Sequence, residues 1–250
     1  MKTTLFRLII LLLTLVIGFT SVRSITNSTS PGPIKPIADV SWPNCSLKLK
    51  PAIAGIVGVN GGLDFRSNPC LYKEASSYSY LALYLNTGYP GPSYGQKFAD
   101  FPKACQSTDN ICLAYNYGYN AALYAITYAN SQTVKARFWW LDVETDNSWT
   151  TNPIINRAAL TGMVAAIQAK VFLADVGFYS ATDQWQLLTG SWHNDTPLWV
   201  ATGATTEIDA KPLCGSTSFN NGPVWLSQYT PNLDYNYICS PAAFSLFTRN

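Results

Sequence analysis

Residues 139–149 read WWLDVETDNSW: two tryptophans and a leucine lead into Asp142 and Glu144, with one valine between the acids. Beside so much apolar surface a carboxyl holds its proton more tightly, because burial disfavours the charged form and each acid repels the other's charge. A carboxylic acid that keeps its proton near neutral pH is the tool of glycoside hydrolysis. One group protonates the leaving oxygen and a second supports an oxocarbenium-like centre. The D-x-E spacing alone is common at solvated strand ends and helix caps, so the apolar lead-in is what sets this instance apart. The chain's one histidine, His193, lies in the loop GSWHNDTP, which argues against a serine or cysteine triad.

A strand is the element that would aim both acids the same way, since alternate side chains share a face. Trp140, Asp142 and Glu144 then point one way, and Trp139, Leu141 and Val143 point toward covering helices. The residues IADVSW (37–42), AGIVGVNGG (54–62), YLALYLNTG (80–88), DVGFYS (175–180), PLWVAT (197–202) and PVWLSQYT (223–230) are further strand candidates, beside ARFWWLDVET (136–145). Helical spacing of Tyr117, Ala121, Tyr124 and Tyr128 predicts a helix over 116–130. Asn152 as cap and Pro153 at the first helical position start another over 153–170, with Ile155, Ala159, Met163 and Ile167 on its apolar face. TDQWQLLTG (182–190) reads as a short helix closed by Gly190.

Strands alternating with helices, and apolar on both faces, indicate a parallel sheet. The expected fold class is α/β: a modified TIM-type β/α barrel, regular early and with an irregular, strand-rich C-terminal part. An open doubly wound sheet is the rival, but no G-x-G-x-x-G follows the first strand. In such a barrel the carboxyl ends of the strands carry the site. Asp39, near the end of the first strand with Ser41 on its face, and Asp234, just beyond the last strand candidate, would join Asp142 and Glu144 there. Trp42, Trp140, Trp149 and Tyr229 cluster near the same ends and would offer flat surfaces to sugar rings. Asn86 and Gln228 could supply hydrogen bonds.

The first residues carry Lys2 and Arg7 before an apolar run from Leu8 to Phe19, with small residues at Val22 and Ser24. This is the pattern of a secretory signal, and the run is shorter than the roughly 20 residues a membrane span needs. Expected boundaries are a signal peptide at 1–24, a flexible leader at 25–36 and one barrel domain at 37–250. The whole chain has 12% charged and 14% aromatic residues and a net charge of +2. Removing Lys2, Arg7 and Arg23 leaves +2 − 3 = −1, which excludes the basic footprint of a nucleic-acid binder.

Six cysteines, Cys45, Cys70, Cys105, Cys112, Cys214 and Cys239, follow the signal. An even number in an exported chain implies disulfides, and although six allow about 15 pairings, sequence order favours 45–70, 105–112 and 214–239. With no C-x-x-C, neither a metal nor a cofactor is expected. Asn27, Asn44 and Asn194 sit in glycosylation sequons. The expected product is a secreted monomer that meets a polysaccharide, with no nucleic-acid partner and no membrane once the signal is cleaved.

The segments DVSWPNC, WWLDVET, VGFYS, PLWVA and WLSQYTPNLDYN resemble, in order, stations of the family-25 glycoside hydrolases, the Chalaropsis-type lysozymes. They are closer still to a secreted, disulfide-containing group of family-25-like proteins. The resemblance runs over roughly residues 37–240. It implies a modified β/α barrel and an N-acetylmuramidase type of lysozyme-like activity, cleaving the β-1,4 bonds of peptidoglycan. Glu144 resembles the general acid, Asp142 its partner, Asp39 the first-strand aspartate and Asp234 the late one. It also implies that the substrate's acetamido group serves as nucleophile, oriented by a carboxylate. Trp42, Pro43 and Asn44 stand where the family often has Gln and Gly, and LYLNTG lacks the family's aromatic–His–Phe pattern. Both departures fall where substrate would lie. The alternative reading is a non-catalytic carbohydrate-binding or extracellular structural protein on the same barrel.

Overall fold

The computed structural model describes residues 36–49, 52–215, 218–245 and 247–249. The expected signal peptide, nearly all of the leader and Asn27 lie outside them. Nine strands form one sheet: β1 Ile37–Val40, β2 Ala54–Gly58, β3 Tyr80–Asn86, β4 Phe138–Asp142, β5 Asp175–Ser180, β6 Leu198–Ala204, β7 Val224–Tyr229, β8 Asp234–Ile238 and β9 Thr248–Arg249. From β1 to β7 each strand runs parallel to the next, while β8 inserts antiparallel between β7 and β1. The eight strands close into a barrel, and β9 pairs antiparallel with the first residues of β3. The helices are α1 Leu71–Ala75, α2 Pro92–Gly95, α3 Asn110–Ser131, α4 Pro153–Lys170, α5 Thr182–Thr189, α6 Glu207–Ala210 and α7 Pro241–Phe244. None in the described residues is long and apolar enough to cross a membrane.

The expected barrel is present, with its irregular late part built by β8. Neither β8 nor β9 is among the sequence-derived strands. On β8, Asn236 and the opening Asp234 alternate with Tyr235, so the inward face of DYNYI is largely polar and carries no apolar signature. The α3 helix begins at Asn110, ahead of the expected Asn116, because the Asp109 side chain accepts from the Cys112 backbone N–H and caps it there. Tyr124, expected on the apolar face, is 40% exposed. The α4 helix matches its prediction, with the Asn152 side chain accepting from Ile154 N.

Strand alternation divides the interior into two cores. Trp139, Leu141 and Val143 join Leu83, Leu85, Ala122, Met163 and Ile167 in the layer between sheet and helices. Phe138, Trp140, Tyr179 and Trp199 fill the lumen with Ile37, Ile56 and Leu226. Lumen aromatics this large need small neighbours. A Cβ on Gly177 would lie 2.4 Å from Trp140 Cζ3, and one on Gly58 would lie 2.8 Å from the Tyr84 ring. The helical layer is tied as closely: a Cβ on Gly118 would lie 1.9 Å from the Ala159 carbonyl oxygen, and one on Gly162 would lie 2.0 Å from that of Tyr115. Disulfides join Cys45–Cys70, Cys105–Cys112 and Cys214–Cys239, the order favoured by the sequence.

Candidate active site

Strand register gathers the acids. Asp39 of β1 is the cross-strand partner of Asp234 of β8, and Asp142 of β4 faces both Asn86 of β3 and Tyr179 of β5. Glu144 follows β4 directly. The Val143 N–H bonds to Tyr179 O at 2.9 Å and Ser180 Oγ donates to Val143 O at 2.7 Å, so the pairing of β4 with β5 carries on to the residue before Glu144. The turn beyond is closed by Asn147 N and Trp149 Nε1, which donate to Glu144 O at 3.2 and 2.9 Å.

Asp142 is 4% exposed and Asp39 is 7% exposed, while Glu144 and Asp234 are more open. Asn86 Nδ2 donates to Asp142 Oδ2 at 2.6 Å, and Gln228 Nε2 donates to Asp39 Oδ2 at 2.9 Å. The Tyr179 hydroxyl fixes Gln228 by donating to its Oε1 at 2.8 Å, and Thr230 Oγ1 donates to Asp234 Oδ1 at 2.6 Å. Asp142 Oδ1 is buried with no hydrogen-bond partner among the described residues. Asp142 and Glu144 lie close enough that each alters the other's hold on its proton.

Electrostatics follow from burial without counter-ions. Burial holds Asp142 well above the carboxylate range, and the charges of Glu144 and Asp39 and the bond to Glu144 push the same way. Glu144 is raised by burial and by Asp146 and Asp234, while its bond with Asp142 draws it down. Both carboxyls hold a proton more tightly than an ordinary one, and the two titrate as a pair. Asp39 is held high by burial first, then by the charge of Asp234, against the bond from Gln228. Among the described residues the one salt bridge, Arg137–Asp175 at 2.9 Å, sits at the start of β5, the far end of the barrel from the acids. Burial raises the Tyr179 hydroxyl, and Glu144, Asp142, Asp39 and Asp234 each raise it further, so one phenol senses all four acids.

The expected binding residues are distributed less evenly. Asn86 and Gln228 sit among the acids, as the bonds above show. Trp42 lies in the turn after β1, 47% exposed, with its Nε1 over Gly62, where a Cβ would lie 3.0 Å away. Trp140 is fully buried in the lumen and forms its floor. Trp149 packs against the outer core and bonds to Glu144 O, so it steadies the acid's turn. Tyr229 points outward, 7% exposed, and stacks on Tyr235 at 5.9 Å. Trp140 and Tyr229 thus do not form the expected aromatic rim. Tyr84, Tyr179 and Asn236 belong with the site and were not singled out from the sequence. Tyr179 alternates on DVGFYS, and that period could have placed it inward; Asn236 lies on the strand that sequence reading missed. Among the described residues no group of three or more His, Cys, Asp and Glu is placed to hold a metal.

A family model described as Lysozyme-like protein 1 matches residues 106–213, a segment that includes Asp142 and Glu144. No curated protein matches the chain. Among solved structures, a glycosyl hydrolase 25 of Streptococcus pneumoniae, the virulence factor GHIP, superposes with a TM-score of 0.50 at 16% identity, covering 83% of this chain and 88% of that one. The muramidase of Trichobolus zukalii superposes with a TM-score of 0.48 at 13% identity, over 82% and 93% of the two chains. The family match supports the lysozyme-like resemblance read from the motifs, and the Streptococcus pneumoniae protein shares the barrel fold.

Proposed function

We propose that this protein is a secreted glycoside hydrolase that cleaves β-1,4 bonds of peptidoglycan or a related amino-sugar glycan. The observation that carries this reading is the strand register, which sets Asp39 beside Asp234 and ends β4 at Asp142 with Glu144 just beyond, with no salt bridge to any of the four among the described residues. Burial without a counter-ion raises the hold of these carboxyls on a proton, which a general acid must keep until it is delivered. Glu144, the more open member, delivers that proton to the glycosidic oxygen as the carbon–oxygen bond breaks. The Asp142–Glu144 pair is left with a negative charge where positive charge grows on the sugar, and a water then adds to that carbon and returns a proton to the pair. Asp39 and Asp234 line the same mouth, with Gln228 and Thr230 fixing their carboxyls. The three disulfides suit an oxidising, extracellular setting.

The test is release of reducing ends from peptidoglycan and from β-1,4 oligomers of N-acetylglucosamine, by the parent and by Glu144→Gln. The parent releases them and the variant, folded alike by circular dichroism, loses at least about a hundredfold in rate. A parent inert on every amino-sugar glycan between about pH 3 and 8 contradicts the proposal.

A further inference from the structure

At the end of the barrel away from the acids, a cleft of about 580 Å³ opens where the chain leaves α3 and α4 to enter β4 and β5. Clefts of roughly 300–1,000 Å³ hold small organic ligands. Trp139 and Phe247, both buried, lie along its inner side. The turn after α4 forms its lip with Val171, Phe172 and Leu173. Lys135, from the connection before β4, and Lys170, from the last turn of α4, reach it from two elements.

Two features of the lip are costly in water. Phe172 is 87% exposed, more than any other large apolar side chain among the described residues, and Leu173 beside it is 62% exposed. Leu173 also has a φ of 52°, the left-handed backbone that glycine and asparagine adopt readily and leucine does not. Arg137 Nε donates to Leu173 O at 2.6 Å and holds the turn there. A polar residue would suit both this backbone and the solvent, so the leucine answers to something that meets the lip. The charge around it is one-sided. Arg137 is neutralised by Asp175 at 2.9 Å. Lys135 and Lys170 are exposed, neither joins a salt bridge, and no acid lines the cleft among the described residues. An apolar lip beside two unpaired cations matches a molecule with an apolar tail and an anionic head.

We propose that this cleft is a second ligand site, separate from the barrel mouth, that takes the free anion of a single-chain amphiphile, with its carboxylate or phosphate head at Lys135 and Lys170 and its tail along Val171, Phe172 and Leu173. The inference does not depend on the hydrolase reading, because no residue of the mouth takes part.

Binding is measured by calorimetry on the full chain at about pH 8, where a fatty carboxylate is charged, with each probe below its micelle-forming concentration. The probes are dodecanoate, dodecyltrimethylammonium, which has the tail without the anion, and acetate, which has the anion without the tail. Dodecanoate binds as a single molecule per chain, and the other two bind at least about tenfold more weakly. Lys135→Gln and Lys170→Gln together weaken dodecanoate by about tenfold. Phe172→Ser does so alone, with the fold kept because the ring is exposed. Leu173→Asn suits the left-handed backbone, so it weakens dodecanoate while the melting temperature holds or rises, which a merely structural leucine would not do. Equal binding of dodecyltrimethylammonium, no binding of dodecanoate, or dodecanoate binding unchanged in both the lysine pair and Phe172→Ser overturns the site. Vesicles of phosphatidylglycerol separate the free amphiphile from a lipid surface. Sedimentation of the chain with vesicles, while free dodecanoate fails to bind, makes the lip a membrane contact and also overturns the site. Phe172→Ser leaves glycan hydrolysis unchanged, so the hydrolase reading stands or falls separately.

Discussion

Asp142 ends a strand whose other inward residues are Phe138 and Trp140, both fully buried. A carboxyl in that setting costs stability, because it must either ionise beside Glu144 and Asp39 or give up its charge. An amide of the same shape avoids the conflict and still accepts from Asn86 Nδ2. Asp142→Asn therefore gains stability at pH 7, by about 0.5–2 kcal/mol, while losing most hydrolysis. Thermal denaturation beside an activity assay checks both halves, and a lower melting temperature would mark Asp142 as a structural residue. Asp142 and Glu144 were legible in the sequence because an apolar strand led into them. Asp64 was not: its neighbours in GGLDFRS give no period, and only the fold brings it against Tyr117, far along the chain.

At the scale of elements, strands apolar on both faces were easy to read, since parallel strands buried between lumen and helices leave continuous runs. The β5 strand fell at its expected residues, 175–180. Strands whose inward face is functional were harder, and β8 is the case in point: Asp234 and Asn236 serve the mouth and the lumen, so they erase the apolar pattern that would reveal the strand. Asn236 accepts from Trp199 Nε1 at 2.6 Å, which shows how a polar inward residue is accommodated. The short helices α1, α2, α6 and α7 are too brief for a helical period to emerge. Contact between α3 and α4 depends on glycines that sequence alone could not place against each other. At Gly162 the obstacle to a side chain is the Tyr115 carbonyl on the facing helix, so the backbone itself must move. Gly162→Ala costs about 1–3 kcal/mol despite the better helix former, and the melting temperature drops while activity per folded molecule is kept. An unchanged melting temperature would mean that the helices stand further apart.

Across the whole molecule the raised acids set how stability depends on pH. Asp39, Asp64, Asp142 and Glu144 all hold protons more tightly in the folded chain than an ordinary carboxyl does. Between the ordinary value near 4 and the raised value, about 8 for Asp64, the folded chain binds more protons than the unfolded one. Stability therefore falls as pH rises through that window and levels off above it. The melting temperature at pH 5 exceeds that at pH 8, with the disulfides intact in both. A melting temperature that climbs over the same range would show that these acids are charged and paired when folded.

The pairing of Asp142 with Glu144 is open to direct observation by carbon-13 nuclear magnetic resonance of the labelled side-chain carboxyls, titrated from acid to mildly alkaline pH. The two resonances should move together in two steps, the upper one lying well above the ordinary carboxylate value of about 4, with Glu144→Gln collapsing them to a single transition. Independent titration of both near that ordinary value would contradict the raised hold on the proton, and with it the chemistry assigned to the barrel mouth.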